Sequence, residues 1–313
     1  MHDLGYKSYL SGLLFLPMTT INNSEIIFII NPHSGSKRYN HLIRKIKKID
    51  PELNCIVTQH NKTVKQLFDN NIDKYKVFVV IGGDGTVHEA ARYLYNRKDK
   101  LLGVIPNGSG NGFAYELGFT TNIKSLLEDI HAGGSQALDV LQVNDKDCIN
   151  ISGLGFDSYV AHRFSKGRTR GFLTYVAITF RSLFQFKPVN VTIKTKEEEI
   201  SGRYQMVCFA NNKQFGNYAF IAPFAKPNDG ILDIVLIKPF PFFLYPAFAA
   251  KMFLGRLKDS RYVKYIKTSE EVIITADTNE FHIDGEPVIL TKPVKIAISD
   301  KKLYIIKTKR NKI

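Results

Sequence analysis

The chain has 313 residues, 44 % of them hydrophobic and 23 % charged, which excludes a disordered or low-complexity protein and leaves room for two ordinary domains. Its net charge of +14 points to polyanionic partners in general: nucleic acid, an anionic membrane or phosphorylated small molecules. The three cysteines, Cys55, Cys148 and Cys208, lack CxxC spacing and so exclude a disulfide framework; reduced, buried thiols of a cytosolic protein are expected.

Residues 1–23 hold a short apolar patch, Leu13 to Met18, too short to span a bilayer and without a small-residue cleavage site, and are expected to form a loose extension. The next hundred residues alternate strand and helix signals. Strands are expected at 25–31 (EIIFIIN), 54–58, 76–81 and 101–106, as continuous apolar runs suited to burial on both faces. Helices are expected at 39–49, with Leu42, Ile43, Ile46 and Ile49 at helical spacing, and at 63–71, 87–96 and 123–133. A βαβα series of this kind implies a mostly parallel sheet between helices.

Near Gln136 the period changes. Residues 137–144 and 147–157 read as a hairpin around Asn144–Lys146. A helical stretch from Phe156 to Phe186 follows, broken by the basic loop SKGRTRG. Strands are then expected at 189–195, 204–212, 231–237, 271–276, 280–283, 293–299 and 302–307, with one inserted helix around 241–257. The predicted fold is α/β: a Rossmann-like domain over 24–136, a mainly antiparallel β-sandwich over 137–301, and a last strand, 302–313, returning to the first domain.

Three expected strand ends carry unusual loops: NPHSGS (Asn31–Ser36), GGDGT (Gly82–Thr86) and PNGSGNG (Pro106–Gly112). Ligands of open parallel sheets bind at such carboxyl ends. Glycines let backbone N–H groups approach a ligand, and a helix start favours phosphate. Ser34, Thr86 and Ser109 add hydroxyl donors, while Asn31, Asn107 and Asn111 can hold loops or bridge to a sugar. Asp84 is the odd piece, since a carboxylate beside a phosphate repels it unless a cation or a proton lies between them. Mg²⁺-nucleotide chemistry is therefore expected. Neither a P-loop nor a GxGxxG dinucleotide fingerprint is present. In FHIDGEPVIL (281–290), Asp284–Gly285 is a turn signal, but a turn does not explain Glu286, a candidate general base. In the 222–234 stretch, Asp229 with nearby carbonyls could hold a hard cation or simply form a turn.

With NPHSG (31–35), GGDGT (82–86), GSGN (108–111) and DGE (284–286) in this order, the chain resembles the diacylglycerol kinase catalytic-domain family of lipid kinases, which includes sphingosine and ceramide kinases. The resemblance implies a diacylglycerol kinase/NAD kinase-type nucleotide domain and a β-sandwich, with ATP, Mg²⁺ and a lipid acceptor meeting in the cleft between them. It implies nucleotide contacts from Asn31, Pro32, His33, Ser34 and Gly35, from Thr58, from Gly82, Gly83, Asp84, Gly85, Thr86, His88 and Glu89, and from Gly108, Ser109 and Asn111. By the same resemblance Glu286 is the catalytic base, with Asp84 as its competitor, and a structural Mg²⁺ is held by Asp229 and the carbonyls of Lys226 and Ile231. Bacterial members usually read GGDGTxNE and GTxND; here the positions are His88 and Ser109–Gly112, closer to the sphingosine and ceramide kinases.

The expected activity is ATP-dependent phosphorylation of a lipid hydroxyl, on diacylglycerol or a sphingoid-type alcohol. An NAD kinase-like enzyme and a non-catalytic nucleotide- or lipid-binding module are the alternatives; the chain has no TPTGSTAY-like stretch, and its intact Asp84 and Glu286 argue for catalysis. Arg168, Arg170 and Lys213 are candidate phosphate-binding cations. A lipid substrate implies a peripheral visit to an anionic membrane by a cytoplasmic enzyme. The runs 238–258 and 162–176, which mix aromatic and basic residues, are candidate contact surfaces. A homodimer is compatible with this plan. No helix-turn-helix or aromatic stacking platform supports a nucleic-acid partner.

Overall fold

A computed structural model describes residues 21–35, 39–58, 61–167 and 171–311. Expectations placed on residues 1–20, Ser36, Lys37, Arg38, Arg168, Arg170 and Lys312 lie outside the described residues.

The first domain comprises β1 (Ile26–Ile30), α1 (Tyr39–Ile49), β2 (Asn54–Val57), α2 (Asn61–Asn71), β3 (Val77–Gly82), α3 (Asp84–Ala91), β4 (Leu101–Pro106), α4 (Gly112–Glu116) and α5 (Ile123–His131). Its strands are parallel in the order β2–β1–β3–β4. Every residue of β1, β3 and β4 is buried, as their unbroken apolar sequences require. Each such Val, Ile or Phe contributes roughly 1.5–3 kcal/mol on leaving water. In α1, Ile46 is buried and Leu42, Ile43 and Ile49 pack on the same core, so the lysines face outward. The sequence extends α3 to residue 96, but regular helix ends at Ala91. Tyr93 and Leu94 bond three residues back, and the N–H of Asn96 is taken by the Lys302 carbonyl.

The second domain comprises β5 (Ser135–Val143), β6 (Lys146–Cys148), β7 (Ile151–Gly155), α6 (Phe156–Lys166), α7 (Phe172–Leu183), β8 (Val189–Lys194), β9 (Glu199–Tyr204), β10 (Met206–Ala210), β11 (Leu232–Ile237), α8 (Tyr245–Phe253), β12 (Val263–Thr268), β13 (Val272–Ala276), β14 (Glu280–Ile283), β15 (Glu286–Ile289) and β16 (Val294–Ile306). One sheet of the sandwich runs β12–β11–β10–β7–β14–β15. The other holds β5, β6, β8, β9, β13 and β16 and is continuous with the parallel sheet. Leu141, Val191, Ile274 and Ile296 from one sheet meet Leu154, Phe209, Ile234 and Phe281 from the other in a single apolar layer. The outer face of the six-stranded sheet is covered by residues 221–225 and, through Phe248 and Met252, by α8.

Three local expectations change. The 137–157 hairpin divides after Cys148: β6 pairs with β5, while β7 crosses to the other sheet. The runs 293–299 and 302–307 form one strand with an irregularity between Ile298 and Lys302, because a bulge absorbs the charged break without ending the ladder. β9 and β12 have no counterpart in the sequence reading; both sit at sheet edges, where exposed charges such as Lys264 and Lys267 mask the strand pattern. The last strand also touches the first domain, with Ile305 parallel to Leu102 of β4.

Candidate active site

The three glycine-bearing loops lie at the carboxyl ends of β1, β3 and β4 and form one unit. Asn31 Nδ2 donates to Thr86 Oγ1 at 2.8 Å. Asn107 Nδ2 donates to the Ser34 carbonyl at 3.2 Å and to Ser34 Oγ at 3.1 Å. A Cβ on Gly108 would stand 2.5 Å from Gly83 Cα, so these two backbones cross at a spacing only glycine allows. Ser34 Oγ donates to the Asn31 carbonyl, and Asn31 Oδ1 accepts from the N–H of the exposed His33. Pro32 sits within this turn, and Gly35 presses on Asn107. Thr58 is buried at the neighbouring end of β2, its N–H bonded to the Ile30 carbonyl. Ser109 is exposed, Gly82 abuts Thr86, and Glu89 is half-buried, its carboxyl raised by burial.

Two expected nucleotide contacts turn elsewhere. Asn111 Oδ1 accepts from Gly108 N–H at 2.8 Å and its Nδ2 donates to the Gly108 carbonyl at 2.7 Å; its amide shapes its own loop rather than facing a sugar. The His88 ring pairs through Nδ1 with Asp284 of the second domain.

Asp84 opens α3 and reaches across to the start of α4, where Oδ1 accepts from Phe113 N–H at 3.4 Å. Burial pushes its carboxyl up to about 6, against the pull of the Phe113, Gly112 and Asn111 amides and with a further push from the Asp284 charge. A buried acid set against a second acid suits a divalent cation, which relieves both costs.

Glu286 opens β15 on the facing edge of the sandwich and is exposed. A Cβ on Gly85 would lie 3.3 Å from its Oε1, so the carboxylate hangs directly over the GGDGT loop. Glu286 of the second domain thus approaches the loop that carries Asp84.

The turn bearing Glu286 is held on two sides by residues that turn chemistry alone did not single out. Asp284 Oδ1 accepts from the N–H groups of Asn150 (2.8 Å) and Ile151 (3.2 Å) and from the Cys148 thiol (3.0 Å), while Oδ2 accepts from Ile149 N–H (3.0 Å) and meets His88. Burial alone would raise this carboxyl; the His88 charge and hydrogen bond, the Ile149 amide and the Cys148 thiol outweigh it and hold it below the usual range. On the other side, Gly285 N–H donates to His282 Nδ1 at 3.3 Å, and His282 Nε2 bonds the buried Asp157 carboxylate at 2.9 Å. The donor at Nδ1 fixes the proton on Nε2. A side chain at Gly153 would overlap that carboxylate.

A second-domain segment, 213–218, straps the GSGN loop. Asn217 Nδ2 donates to the Ser109 carbonyl at 2.7 Å and Asn217 N–H to the Gly110 carbonyl at 3.1 Å. A Cβ on Gly112 would stand 2.5 Å from the Phe215 carbonyl oxygen. Lys213, a candidate phosphate cation, pairs with Glu116 at 2.8 Å.

Asp229, Lys226 and Ile231 lie in a separate place, the loop ahead of β11. Asp229 is exposed, and its Oδ1 accepts from Ile231 N–H at 3.1 Å. Its charge raises the nearby Asp233, which is already raised by burial and whose Oδ2 is buried without a partner. Lys267 Nζ already pairs with Asp233 Oδ1 at 2.7 Å, and among the described residues no cluster of three or more His, Cys, Asp or Glu that could hold a metal ion occurs.

The sandwich also presents an apolar face. α6 packs on β14 and β15, and α7 packs on α6. Leu173, Val176, Phe180 and Phe184 of the α7 region are exposed. The Phe184 ring contacts Phe242, 5.0 Å between centroids, beside the exposed Phe243. Arg163, Lys166, Arg181, Lys187, Lys238 and Lys251 are exposed on the same helices and their flanks. Among the described residues no helix is long and apolar enough to cross a membrane.

Residues 25–143 match the family described as diacylglycerol kinase catalytic domain, and residues 150–307 match the YegS C-terminal NAD kinase beta sandwich-like domain. A Bacillus subtilis protein named "Putative lipid kinase YtlR" is 28 % identical over 90 % of this chain and 99 % of its own length. A Bacillus subtilis diacylglycerol kinase is 24 % identical over 82 % of this chain and 88 % of its own. A crystal structure of a diacylglycerol kinase from Bacillus anthracis superposes with a TM-score of 0.67 at 21 % identity, covering 91 % of this chain and 97 % of that one. Its likeness is one of fold.

Proposed function

Because the chain belongs to the lipid kinase family that joins a diacylglycerol kinase catalytic domain to a YegS-type sandwich, we propose that it transfers the γ-phosphoryl group of ATP to the hydroxyl of a membrane lipid, diacylglycerol or a sphingoid-type long-chain alcohol. The observation that supports this best is the meeting of three fused glycine loops with Glu286, whose Oε1 lies 3.3 Å from where a Gly85 side chain would begin. A phosphate gripped by those loops stands within reach of an alcohol beside Glu286.

The loop N–H groups and the start of α3 bind and orient the phosphates. Mg²⁺, when bound, supplies charge neutralisation there, and Asp84 is the residue suited to hold it. Glu286 accepts the acceptor hydroxyl's proton as that oxygen bonds to the γ-phosphorus and the bond to the β–γ bridging oxygen breaks, leaving ADP with the electron pair. Asp84 is the weaker candidate for base, because its Oδ1 already accepts from Phe113 N–H at the start of α4 and the other oxygen is left for the cation. The apolar face of α7 and the 242–243 aromatics, with the exposed Arg163, Lys166 and Arg181 on α6 and α7, suits an anionic bilayer, and α6 places it next to the hairpin that carries Glu286.

Incubation with Mg²⁺, γ-labelled ATP and mixed micelles of diacylglycerol, ceramide, sphingoid base or NAD tests the assignment. Label in a lipid product is expected, with Glu286→Gln reducing turnover by about 10²–10⁴-fold. Label in NAD alone, or in none of the four, would overturn it.

A further inference from the structure

The catalytic loops and the Glu286 turn come from different domains, so their spacing depends on whatever joins them. Among the described residues the pairing of His88 with Asp284 is a direct side-chain link between α3 and that turn. His88 lies one helical turn after Asp84, and Asp284 lies two residues before Glu286. Side-chain exposure is 13 % for His88 and 4 % for Asp284, so the contact is largely shielded from water, where charge-assisted bonds are strong. Asp284 is also anchored to four groups of residues 148–151. His88 therefore grips a rigid bracket of the sandwich, not a free loop. The same turn is held from within by the His282–Asp157 pair, whose Nδ1 takes the Gly285 N–H.

We propose that His88 is a positioning residue for phosphoryl transfer: its imidazole latches Asp284 across the domain boundary and thereby fixes the Glu286 carboxylate over Gly85, with the His282–Asp157 pair as the inner half of the same clamp. The inference rests on Glu286 acting as the base. It assigns His88 to the second domain rather than to the nucleotide. It also gives Asp284 a task beyond making a turn, since Asp284 and Gly285 take φ values of +51° and +82°, which Asn or Gly would adopt equally well.

The test uses the full chain carrying His88→Leu or His88→Asn. Leu removes the donor; Asn keeps an N–H near the position of Nδ1. His88→Leu is expected to lower kcat by about 100-fold, the scale of a misplaced catalytic group. Its Kd for MgATP is expected to stay close to the wild-type value, while its melting temperature falls, because Asp284 loses a shielded partner. His88→Asn is expected to recover most of the loss. Amide hydrogen exchange is the readout independent of turnover: protection at Asp284, Gly285 and residues 149–151 falls in His88→Leu and returns in His88→Asn. Unchanged protection, unchanged turnover, or a loss of MgATP affinity that accounts for the whole defect would overturn the proposal. Wild-type turnover in Glu286→Gln would instead overturn the role of Glu286 beneath it.

Discussion

In the proposed reaction Asp84 serves as an anion, at a place that disfavours one. Burial and the Asp284 charge raise its carboxyl to about 6 from an ordinary value of 3.8, so the folded protein holds this proton more tightly than the unfolded chain does. The fold therefore loses stability through Asp84 as pH rises from 3.8 towards 6, and above 6 the full penalty persists. Asp84→Asn keeps an oxygen for the α4 amides and removes the charge. It is expected to melt higher than wild type at pH 8, with the gain shrinking as the pH falls below 6, while losing phosphoryl transfer. A lower melting temperature at pH 8 would refute this. In wild type, kcat/KM is expected to fall on the acid side with a midpoint near 6, because that ratio reports the free enzyme. Asp84 and Glu286 were legible in the sequence because no turn or core demands an acid at either place. Asp284 was not: Asp-Gly satisfies a hairpin completely, and its real partners lie 133 to 136 residues earlier in the chain and, in His88, 196 residues earlier. Asp157 and His282 were hidden for the same reason, since burial inside a sandwich is decided by the pairing of distant strands.

At the level of elements, the sequence separated strands buried on both faces from amphipathic helices wherever the pattern was pure, as in β1, β3 and α1. It failed where one element serves two environments. α8 turns Phe248 and Met252 to the sheet and leaves Phe253 exposed, so core and interface were equally good descriptions of one run. α7 has no such ambivalence: Leu173 is 81 % exposed and Phe243, nearby in the 242–243 aromatics, is 75 % exposed, a costly arrangement for a surface that meets only water. Phe180→Glu combined with Phe243→Glu is expected to weaken binding to phosphatidylglycerol vesicles by at least about 100-fold, since each phenyl ring withdrawn from a bilayer forfeits roughly 1.5–3 kcal/mol. Nucleotide binding should be untouched. Vesicle affinity equal to that of wild type in a sedimentation assay would discard the membrane role of this face.

Across the whole molecule, β16 belongs to both domains. Its first residues pair with β13, its length pairs with β5, and Ile305 meets β4 of the parallel sheet. Lys302 bonds Asp139, and its backbone exchanges hydrogen bonds with Asn96. The two domains are thus stitched by one strand, and scanning calorimetry is expected to give a single transition that MgATP moves as a unit. Ile305→Ala, which opens a cavity at the junction, should cost about 2–5 kcal/mol and lower that one transition. Two separate transitions would show that the halves melt independently. The domain order was readable because the hydrophobic period changes near Gln136, whereas the unity of residues 294–306 was not, because Asp300, Lys301 and Lys302 imitate a loop. The crossing of Gly112 with the Phe215 carbonyl ties two distant segments to one another. An acid at position 112 has no room while that carbonyl is there, so neither feature can be exchanged alone. An acid can enter at position 112 only together with a rerouted 213–218 segment, and a chimera that swaps only one of the two segments should fail to close.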